Sequence, residues 1–212
     1  AIGVIYTLLT GVWAFGYWLA GMSGFEALAH AMTTIATGGF STSDESIGHF
    51  DSAAVDYLAA GGMVIGALPF LLYLKTLQGS WGALASDSQV QWFLSVVASL
   101  IVATTGWLWL ENNIPLEQAV RLATVNLVSI ITGTGYATDD YGLWGSFALP
   151  IFFFIMFIGG CAGSTTCGIK VFRFQVLYAS TRTQIHHLLQ PNGVFIPYYN
   201  RRPISDEVIV SV

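Results

Sequence analysis

A seven-residue pattern occurs twice in this chain, and it restricts the fold more than any other feature. Residues 36–42 read ATGGFST and residues 132–138 read TGTGYAT, so the two copies align without a gap. Each copy places a glycine before an aromatic residue, and a small residue and a threonine follow. One copy alone would fit an ordinary turn. Two copies, each lying between long apolar segments, indicate one supersecondary unit used twice.

The apolar segments indicate the class of protein. The chain of 212 residues is 54% hydrophobic and 9% charged, which excludes an ordinary soluble domain. A helix needs about 20 apolar residues to cross a hydrocarbon core about 30 Å thick. Four stretches meet or approach this length: residues 1–20, 53–74, 90–110 and 143–158. We therefore predict an all-α membrane protein, in which Pro69 kinks the second stretch.

Short helices between these spans lead into the two motifs. The first, at residues 25–36, begins at a capping box of Ser23 and Glu26 and is too short to cross a bilayer. It must therefore end inside the membrane, where its negative carbonyl end favours a cation. His30 within it is interpreted as a packed or capping residue rather than an ion ligand. A second helix, ending near residue 131, delivers the second motif in the same way.

The motif suits chemistry done by the backbone rather than by side chains. Glycine permits the positive φ that a segment needs to present successive carbonyl oxygens to a dehydrated cation, and the aromatic residue holds the shape. We therefore predict that the two motifs form half of an ion-selectivity filter. The predicted filter residues are Thr37, Gly38, Gly39, Phe40, Gly133, Thr134, Gly135 and Tyr136.

A glycine-rich run follows the fourth apolar stretch and is unlikely to continue as a helix. Irregular backbone at membrane depth is tolerated only where protein buries it or where it lines a water-filled cavity. We predict a flexible loop that projects into the permeation path beneath the filter. Its two cysteines indicate neither a disulfide framework nor a zinc site. The loop residues are Gly159, Gly160, Cys161, Ala162, Gly163, Ser164, Thr165, Thr166, Cys167, Gly168 and Lys170.

Charged residues are divided between the two sides of the predicted membrane protein. Acidic residues gather beside the motifs: Asp44, Glu45, Asp51, Asp56, Glu111, Asp139 and Asp140. Basic residues lie on the opposite connections: Lys75, Lys170, Arg173, Arg182, Arg201 and Arg202. The positive-inside rule then places the filter side outward, where acidic residues either concentrate cations or only solvate the loops. Glu117 and Arg121 have the spacing of an i,i+4 ion pair, with a solvated surface pair as the alternative.

These residues resemble the Trk/Ktr/HKT superfamily of potassium transporters, and among them the bacterial Trk-type uptake proteins. Residues 32–42 resemble the family's second filter segment, 127–138 its third, 159–173 its intramembrane loop and 185–203 its connection to a fourth repeat. The resemblance implies a pseudo-fourfold, potassium-channel-like pore of four repeats, each made of a span, a re-entrant pore helix, a filter and a span. This chain would hold two of them, at residues 1–75 and 90–170, with a cytoplasmic turn at 76–89 and a cytoplasmic connection at 171–212.

The same resemblance implies a function. Filter carbonyls would carry K⁺, with Na⁺ as the alternative ion, and the glycine-rich loop would act as the gate. The implied protein is a transporter rather than an enzyme, and a homodimer of the bacterial inner membrane that binds no nucleic acid. Nucleotides would act only through a cytosolic TrkA-like ring. Thr166 and Cys167 replace two glycines of the family's loop, and the unequal filter copies leave the preference for K⁺ over Na⁺ open.

Other functions remain as alternatives. An ion-coupled symporter is one, because half-helices and internal repeats also mark secondary transporters. A nucleotide-binding membrane enzyme is less favoured, because residues 163–170 (GSTTCGIK) approach the P-loop spacing but Ile169 stands where lysine is required. A purely structural subunit is disfavoured, because two re-entrant motifs would have no packing rationale. The chain lacks an initiator methionine, and we expect it to be a piece of a longer polypeptide.

Overall fold

The structure, a computed structural model, describes residues 2–200 and 202–211; Ala1, Arg201 and Val212 lie outside it. Two short 3₁₀ helices occur at Ser46–Phe50 and Tyr141–Leu143, and strands β1 (Tyr198–Tyr199) and β2 (Arg202–Pro203) form an antiparallel hairpin. The α-helices are α1 (Ile2–Leu19), α2 (Gly24–Ile35), α3 (Ala53–Gly66), α4 (Phe70–Leu77), α5 (Ala83–Ser86), α6 (Ser88–Leu110), α7 (Leu116–Thr132), α8 (Ala148–Ile155), α9 (Val171–Leu189) and α10 (Asp206–Ser211).

The helices pack as two similar halves. In the first half the long helix α1 lies against the short helix α2, and in the second half α6 lies against α7 in the same way. Contacts between α3 and α7 join the halves. The largest apolar cluster crosses this joint, because Met63 of α3, Val125 of α7 and Tyr136 of the second motif all belong to it. The two motifs are therefore held by one continuous core.

Of the four predicted spans, two are long unbroken helices and two contain shorter helices. Among the described residues, α1 and α6 are long and apolar enough to cross a membrane, and α3 with α4 makes a third span only if a bent pair counts as one. The bend between them is 89°, so the kink predicted at Pro69 becomes a near right angle. The fourth stretch forms only the eight residues of α8. Glycine-rich sequence after α8 and proline after α3 end both helices early.

The start of α2 follows the sequence prediction. The amide of Glu26 donates to the Ser23 hydroxyl at 3.3 Å, and the amide of Ser23 donates to the Glu26 carboxylate at 3.0 Å. This capping box is confirmed, and its hydrogen bonds hold the pKa of the Glu26 carboxyl below its usual value. Two of the orphan amides at the helix start thereby find partners. The helix entry, and with it the direction in which α2 points its C-terminus, is fixed locally.

Candidate functional site

Both short helices end in the same hydrogen-bonded turn, and each motif starts there. At the end of α2 the amide of Gly38 donates to the carbonyl of Thr33 at 2.7 Å. At the end of α7 the amide of Thr134 donates to the carbonyl of Ser129 at 2.9 Å. This pairing is that of a Schellman motif, which requires one residue in the left-handed conformation just before the donor. The helix ends therefore impose the first positive φ of each motif.

The backbone of the two motifs follows the same alternating pattern. Thr37 has φ 51° and its aligned residue Gly133 has φ 69°; Gly39 has φ 67° and its aligned residue Gly135 has φ 92°. The residue between each pair has negative φ. Positive φ at every second residue is backbone that glycine adopts readily and that other residues rarely adopt. The two motifs therefore share one backbone course, as a sequence unit used twice predicts.

The two motifs lie against each other. A Cβ atom on Gly39 would overlap the carbonyl oxygen of Thr134 and would lie 2.8 Å from its carbonyl carbon. Farther along, the amide of Gly48 donates to the carbonyl of Ala137 at 3.1 Å, and the amide of Ala137 donates to the Ser46 hydroxyl at 3.2 Å. The predicted filter residues of both copies are thus brought to one place. Glycine at position 39 is required by this close backbone approach as well as by its φ.

The carbonyl oxygens of the motifs are mostly free. Among the described residues, no hydrogen bond reaches the carbonyls of residues 37–39 or 133–136. Phe40 differs, because its carbonyl accepts from the Thr33 hydroxyl at 2.9 Å and keeps only one lone pair for another partner. Gly133 and Gly135 are exposed along this surface. The arrangement presents unpaired oxygens at the ends of two helices whose dipoles favour positive charge there.

The aromatic residues of the two motifs have different surroundings. Tyr136 is 1% exposed, and its hydroxyl lies 2.6 Å from the Thr33 hydroxyl and 3.3 Å from the Thr34 hydroxyl of α2. Tyr17 of α1 completes this group through a hydrogen bond of 2.8 Å with Thr34. Phe40, in contrast, is 77% exposed. The second motif is therefore fastened to the re-entrant helix of the first half through its aromatic side chain.

The glycine-rich loop is bound into the break between α3 and α4. The amide of Cys161 donates to the carbonyl of Ala67 at 3.0 Å, and the amide of Thr165 donates to that of Gly66 at 3.1 Å. In return the amide of Phe70 donates to the carbonyl of Gly163 at 3.0 Å. The loop is therefore docked in this structure, and its predicted flexibility stays a prediction. Peptide groups at membrane depth need partners, and the broken span supplies carbonyls that an unbroken helix would have used itself.

Two loop residues contact the motifs. The Thr165 hydroxyl lies 3.3 Å from the Thr37 hydroxyl and donates to the carbonyl of Ile35 at 3.0 Å. Thr37 is a β-branched residue at positive φ, which is rare and strained, and the contact with Thr165 helps to hold it. The Cβ position of Gly133 lies 3.4 Å from the Cβ of Cys167. The loop thus contacts the first left-handed residue of each motif.

The remaining loop side chains close the loop on itself. The Lys170 ammonium donates to the Thr166 carbonyl, to its hydroxyl at 3.0 Å and to the Ser164 hydroxyl at 3.4 Å. Lys170 therefore folds back onto the loop and does not extend away from it. Cys161 is buried, Cys167 is exposed, and both are free thiols.

Comparison with known proteins assigns the chain to a family. The family model described as TrkH, cation transport protein, matches residues 2–212. This chain belongs to the TrkH family. It is 42% identical over 205 residues to the Trk system potassium uptake protein TrkI of Halomonas elongata, covering 96% of this chain and 42% of that protein. It is 34% identical over 215 residues to the Trk system potassium uptake protein TrkH of Escherichia coli K12, covering 99% and 44%.

A solved structure extends the comparison to the fold. The crystal structure of the potassium transporter TrkH from Vibrio parahaemolyticus matches with a TM-score of 0.91 at 31% identity, covering 97% of this chain and 45% of that chain. The TrkH family is a family of transporters rather than enzymes, and the predicted all-α membrane fold is confirmed. The chain spans less than half the length of the relatives it matches.

One predicted ion pair in this TrkH-family chain is wrong. Arg121 contacts Asp56 of α3 at 3.7 Å and Asp51 at 3.8 Å, and among the described residues no ion pair joins it to Glu117. The side chain of Asp56 is 6% exposed and that of Arg121 is 19% exposed, whereas that of Asp51 is 92% exposed. Because α7 packs on α3, the buried carboxylate draws the guanidinium into the joint between the halves. Helical spacing along α7 could not reveal a partner on another helix.

Two buried polar residues that position the motifs were not recognised as a pair from the sequence. His30 of α2 contacts the Ser41 hydroxyl at 3.0 Å, and Asn126 of α7 donates to the Thr138 hydroxyl at 2.7 Å. In the internal alignment that equates Gly39 with Gly135, position 30 equates with position 126. Both side chains tie the middle of a re-entrant helix to the far end of its motif. Extending the alignment upstream of the glycines is the signal that would have found them.

Proposed function

We propose that the two motifs form part of a potassium-selective filter in a Trk-type uptake protein. The observation that carries the proposal is the shared alternating backbone at residues 37–39 and 133–135, with free carbonyls held side by side. Carbonyl oxygens arranged around a cation replace its hydration shell, and this is how filters built from backbone select ions. The names of the relatives, potassium uptake proteins, support K⁺ as the transported ion.

In the proposed site, oxygens of Thr37, Gly38 and Gly39 face the ion from one side, and those of residues 133–136 face it from the next. Phe40 adds its second lone pair. The remaining sides of the ion would be completed by further repeats of the same polypeptide. The ends of α2 and α7 lower the energy of a cation there through their dipoles.

The loop at residues 159–170 is proposed as the gate. The loop contacts Thr37 and Gly133. It is not part of a continuous helix, and the hydrogen bonds that dock it can break without unfolding one. Releasing Thr165 from Gly66 and Ile35 would free the region below the filter. Shortening the loop is expected to raise ion conductance.

Membrane placement follows from charge. We propose a protein of the bacterial inner membrane with the motif side outward, because basic residues are concentrated on the opposite connections. A homodimer and a TrkA-like nucleotide-binding ring on the cytosolic side are proposed as partners. The word "system" in the names of the relatives supports additional components.

The test uses the full-length protein in planar bilayers. Single-channel K⁺ currents that reverse at the K⁺ equilibrium potential are expected for a filter pore, and the K⁺ to Na⁺ permeability ratio measures its selectivity. Flux of K⁺ in fixed stoichiometry with a second ion, and without unitary currents, would instead support the ion-coupled symporter. A second experiment locates the ion. In crystals of the full-length protein grown with Rb⁺, the ion should lie among the carbonyls of residues 37–39 and 133–135. An ion bound elsewhere would overturn the proposed site.

A further inference from the structure

The first turn of α6 connects the glycine-rich loop with the hairpin β1–β2. On one side, the amide of Ala162 in the loop donates to the side-chain oxygen of Gln89 at 2.8 Å. On the other side, the amide of Ser88 donates to the side-chain oxygen of Asn200 at 3.2 Å, and the Asn200 amide donates to Asp87 at 3.1 Å. Three consecutive residues of α6 and its cap therefore hold two segments that are far apart in sequence.

Gln89 is an unusual partner for the loop. Gln89 is buried, with 8% of the residue exposed, and it belongs to α6, which is long and apolar enough to cross a membrane. The other hydrogen bonds from loop amides that dock the loop go to backbone carbonyls in the break between α3 and α4. A partly buried amide that loses its acceptor keeps part of the penalty of desolvation. Removing the Gln89 oxygen would therefore weaken the docked loop at Ala162 without altering the motifs.

The hairpin is attached to the same turn by several contacts. Asp87 caps α6 by accepting from the amide of Gln89 at 2.9 Å, and its second oxygen accepts from Asn200. Gln175 of α9 donates to the Ser88 hydroxyl at 2.9 Å, so the start of α9 is drawn to this turn as well. Burial raises the pKa of the Tyr199 hydroxyl to about 12, and the nearby Asp87 carboxylate acts in the same direction.

We propose that the Asp87–Gln89 turn is a coupling element, in which Gln89 latches the gate loop and Asp87 and Ser88 link that latch to the hairpin. The inference rests on the proposed gating role of the loop. Displacement of the hairpin would move the turn, and the turn would withdraw the acceptor from Ala162. Gln89 is thus a positioning residue for the gate, acting from outside both the filter and the loop.

The loop contains its own reporter. Cys161 precedes Ala162 and is fully buried, whereas Cys167 is exposed. In a Cys167→Ser background with any other cysteines of the full-length protein replaced, reaction of Cys161 with N-ethylmaleimide measures undocking of the loop. This readout does not depend on ion flux.

The experiment compares three substitutions in the full-length protein in membranes. Gln89→Leu should raise the Cys161 reaction rate roughly tenfold, because one buried acceptor is lost, and it should raise basal Rb⁺ flux without changing the K⁺ to Na⁺ ratio. Gln89→Glu keeps an acceptor oxygen and should stay near the parent rate. Gln91→Leu is the matched control, because Gln91 lies in the same turn and is exposed, and its side-chain amide donates to the carbonyl of Ala85 at 2.8 Å.

The coupling to the hairpin is tested by Asn200→Ala. It should raise the Cys161 reaction rate by a smaller factor than Gln89→Leu, and the double variant should resemble Gln89→Leu alone, because both changes act on one link. Fully multiplicative effects in the double variant would overturn the coupling.

The outcomes separate the latch from the gate. An unchanged Cys161 rate in Gln89→Leu, or an equal increase in Gln91→Leu, would overturn the latch and leave the proposed gate untouched. Faster Cys161 reaction with unchanged Rb⁺ flux would show that the loop undocks without gating, and would overturn the gating role on which the inference rests. If Gln89→Leu does not fold, a raised rate in Asn200→Ala with a parent-like rate in Gln91→Leu supports the proposal, and an unchanged rate overturns it.

Discussion

The first and second motifs have the same backbone but different surroundings. Both rise from a helix that ends in the same turn, and both alternate in φ. Yet Gly39 abuts the carbonyl of Thr134, whereas a Cβ on Gly135 would meet no atom of the described residues within 4 Å. Likewise Tyr136 is buried against α2, and Phe40 is 77% exposed. Local sequence therefore sets the conformation of a motif, and the neighbouring half decides how tightly that conformation is held.

The largest difference should appear between the two glycines. Gly39→Ala is expected to abolish Rb⁺ uptake by the full-length protein, because the added methyl overlaps backbone that cannot move without distorting the second motif. Gly135→Ala is strained by its φ of 92°, but its Cβ would meet no atom of the described residues within 4 Å, so we expect a smaller loss of uptake than for Gly39→Ala. Gly106→Ala in α6 is the control, since no atom of the described residues lies within 4 Å of its Cβ position. Equal uptake by the Gly39 and Gly135 variants would remove the contrast drawn between the motifs.

The joint between the halves gives the next prediction. Asp56→Asn leaves Arg121 without its buried counter-charge and should lower the free energy of unfolding by roughly 3 kcal/mol. Asp51→Asn is the matched control, because Asp51 lies at nearly the same distance from Arg121 but is 92% exposed, and exposed pairs contribute little. Thermal unfolding of the purified full-length protein measures both. A larger loss of unfolding free energy in Asp51→Asn would mean that the exposed pair, rather than the buried one, stabilises the contact between the halves.

The aromatic contrast predicts a moderate effect. Tyr136→Phe removes a hydroxyl that lies 2.6 Å from that of Thr33, and it should cost about 1 kcal/mol of stability. Because Thr33 also donates to the carbonyl of Phe40, ion selectivity should fall as that contact loosens. Phe40→Tyr adds a hydroxyl to an exposed ring and should change neither quantity. The K⁺ to Na⁺ uptake ratio, measured beside thermal unfolding, distinguishes these results; a larger change in Phe40→Tyr would contradict the assignment of roles.

The smallest effect is expected for an exchange between equivalent positions. His30→Asn places at the first pore helix the residue type found at its aligned position, Asn126, so a hydrogen bond to the end of the motif can be kept. It should retain most Rb⁺ uptake, whereas His30→Leu removes the contact with Ser41 and should reduce uptake severalfold. Equal losses in the two variants would show that ring packing, rather than the hydrogen bond, is what position 30 supplies.

Some features of the site could be read from the sequence because they depend on neighbouring residues. The capping box at Ser23 and Glu26 is local and was predicted. The predicted pair of Arg121 with Glu117 was wrong, because the actual partner Asp56 comes from a different helix. The loop was predicted to be flexible from its glycines, but its conformation depends on carbonyls that the broken span exposes.

The sequence by itself determined that this is a helical membrane chain with one unit used twice, because hydropathy, helix length and glycine positions act over a few residues. Only the tertiary structure decided which carbonyls stay free, where the loop docks and which buried side chains link the halves. Those features depend on contacts between segments distant in sequence, such as Tyr136 with Thr33 and Gln89 with Ala162. Peptide and polar groups at membrane depth must find partners, and packing determines which partners are within reach.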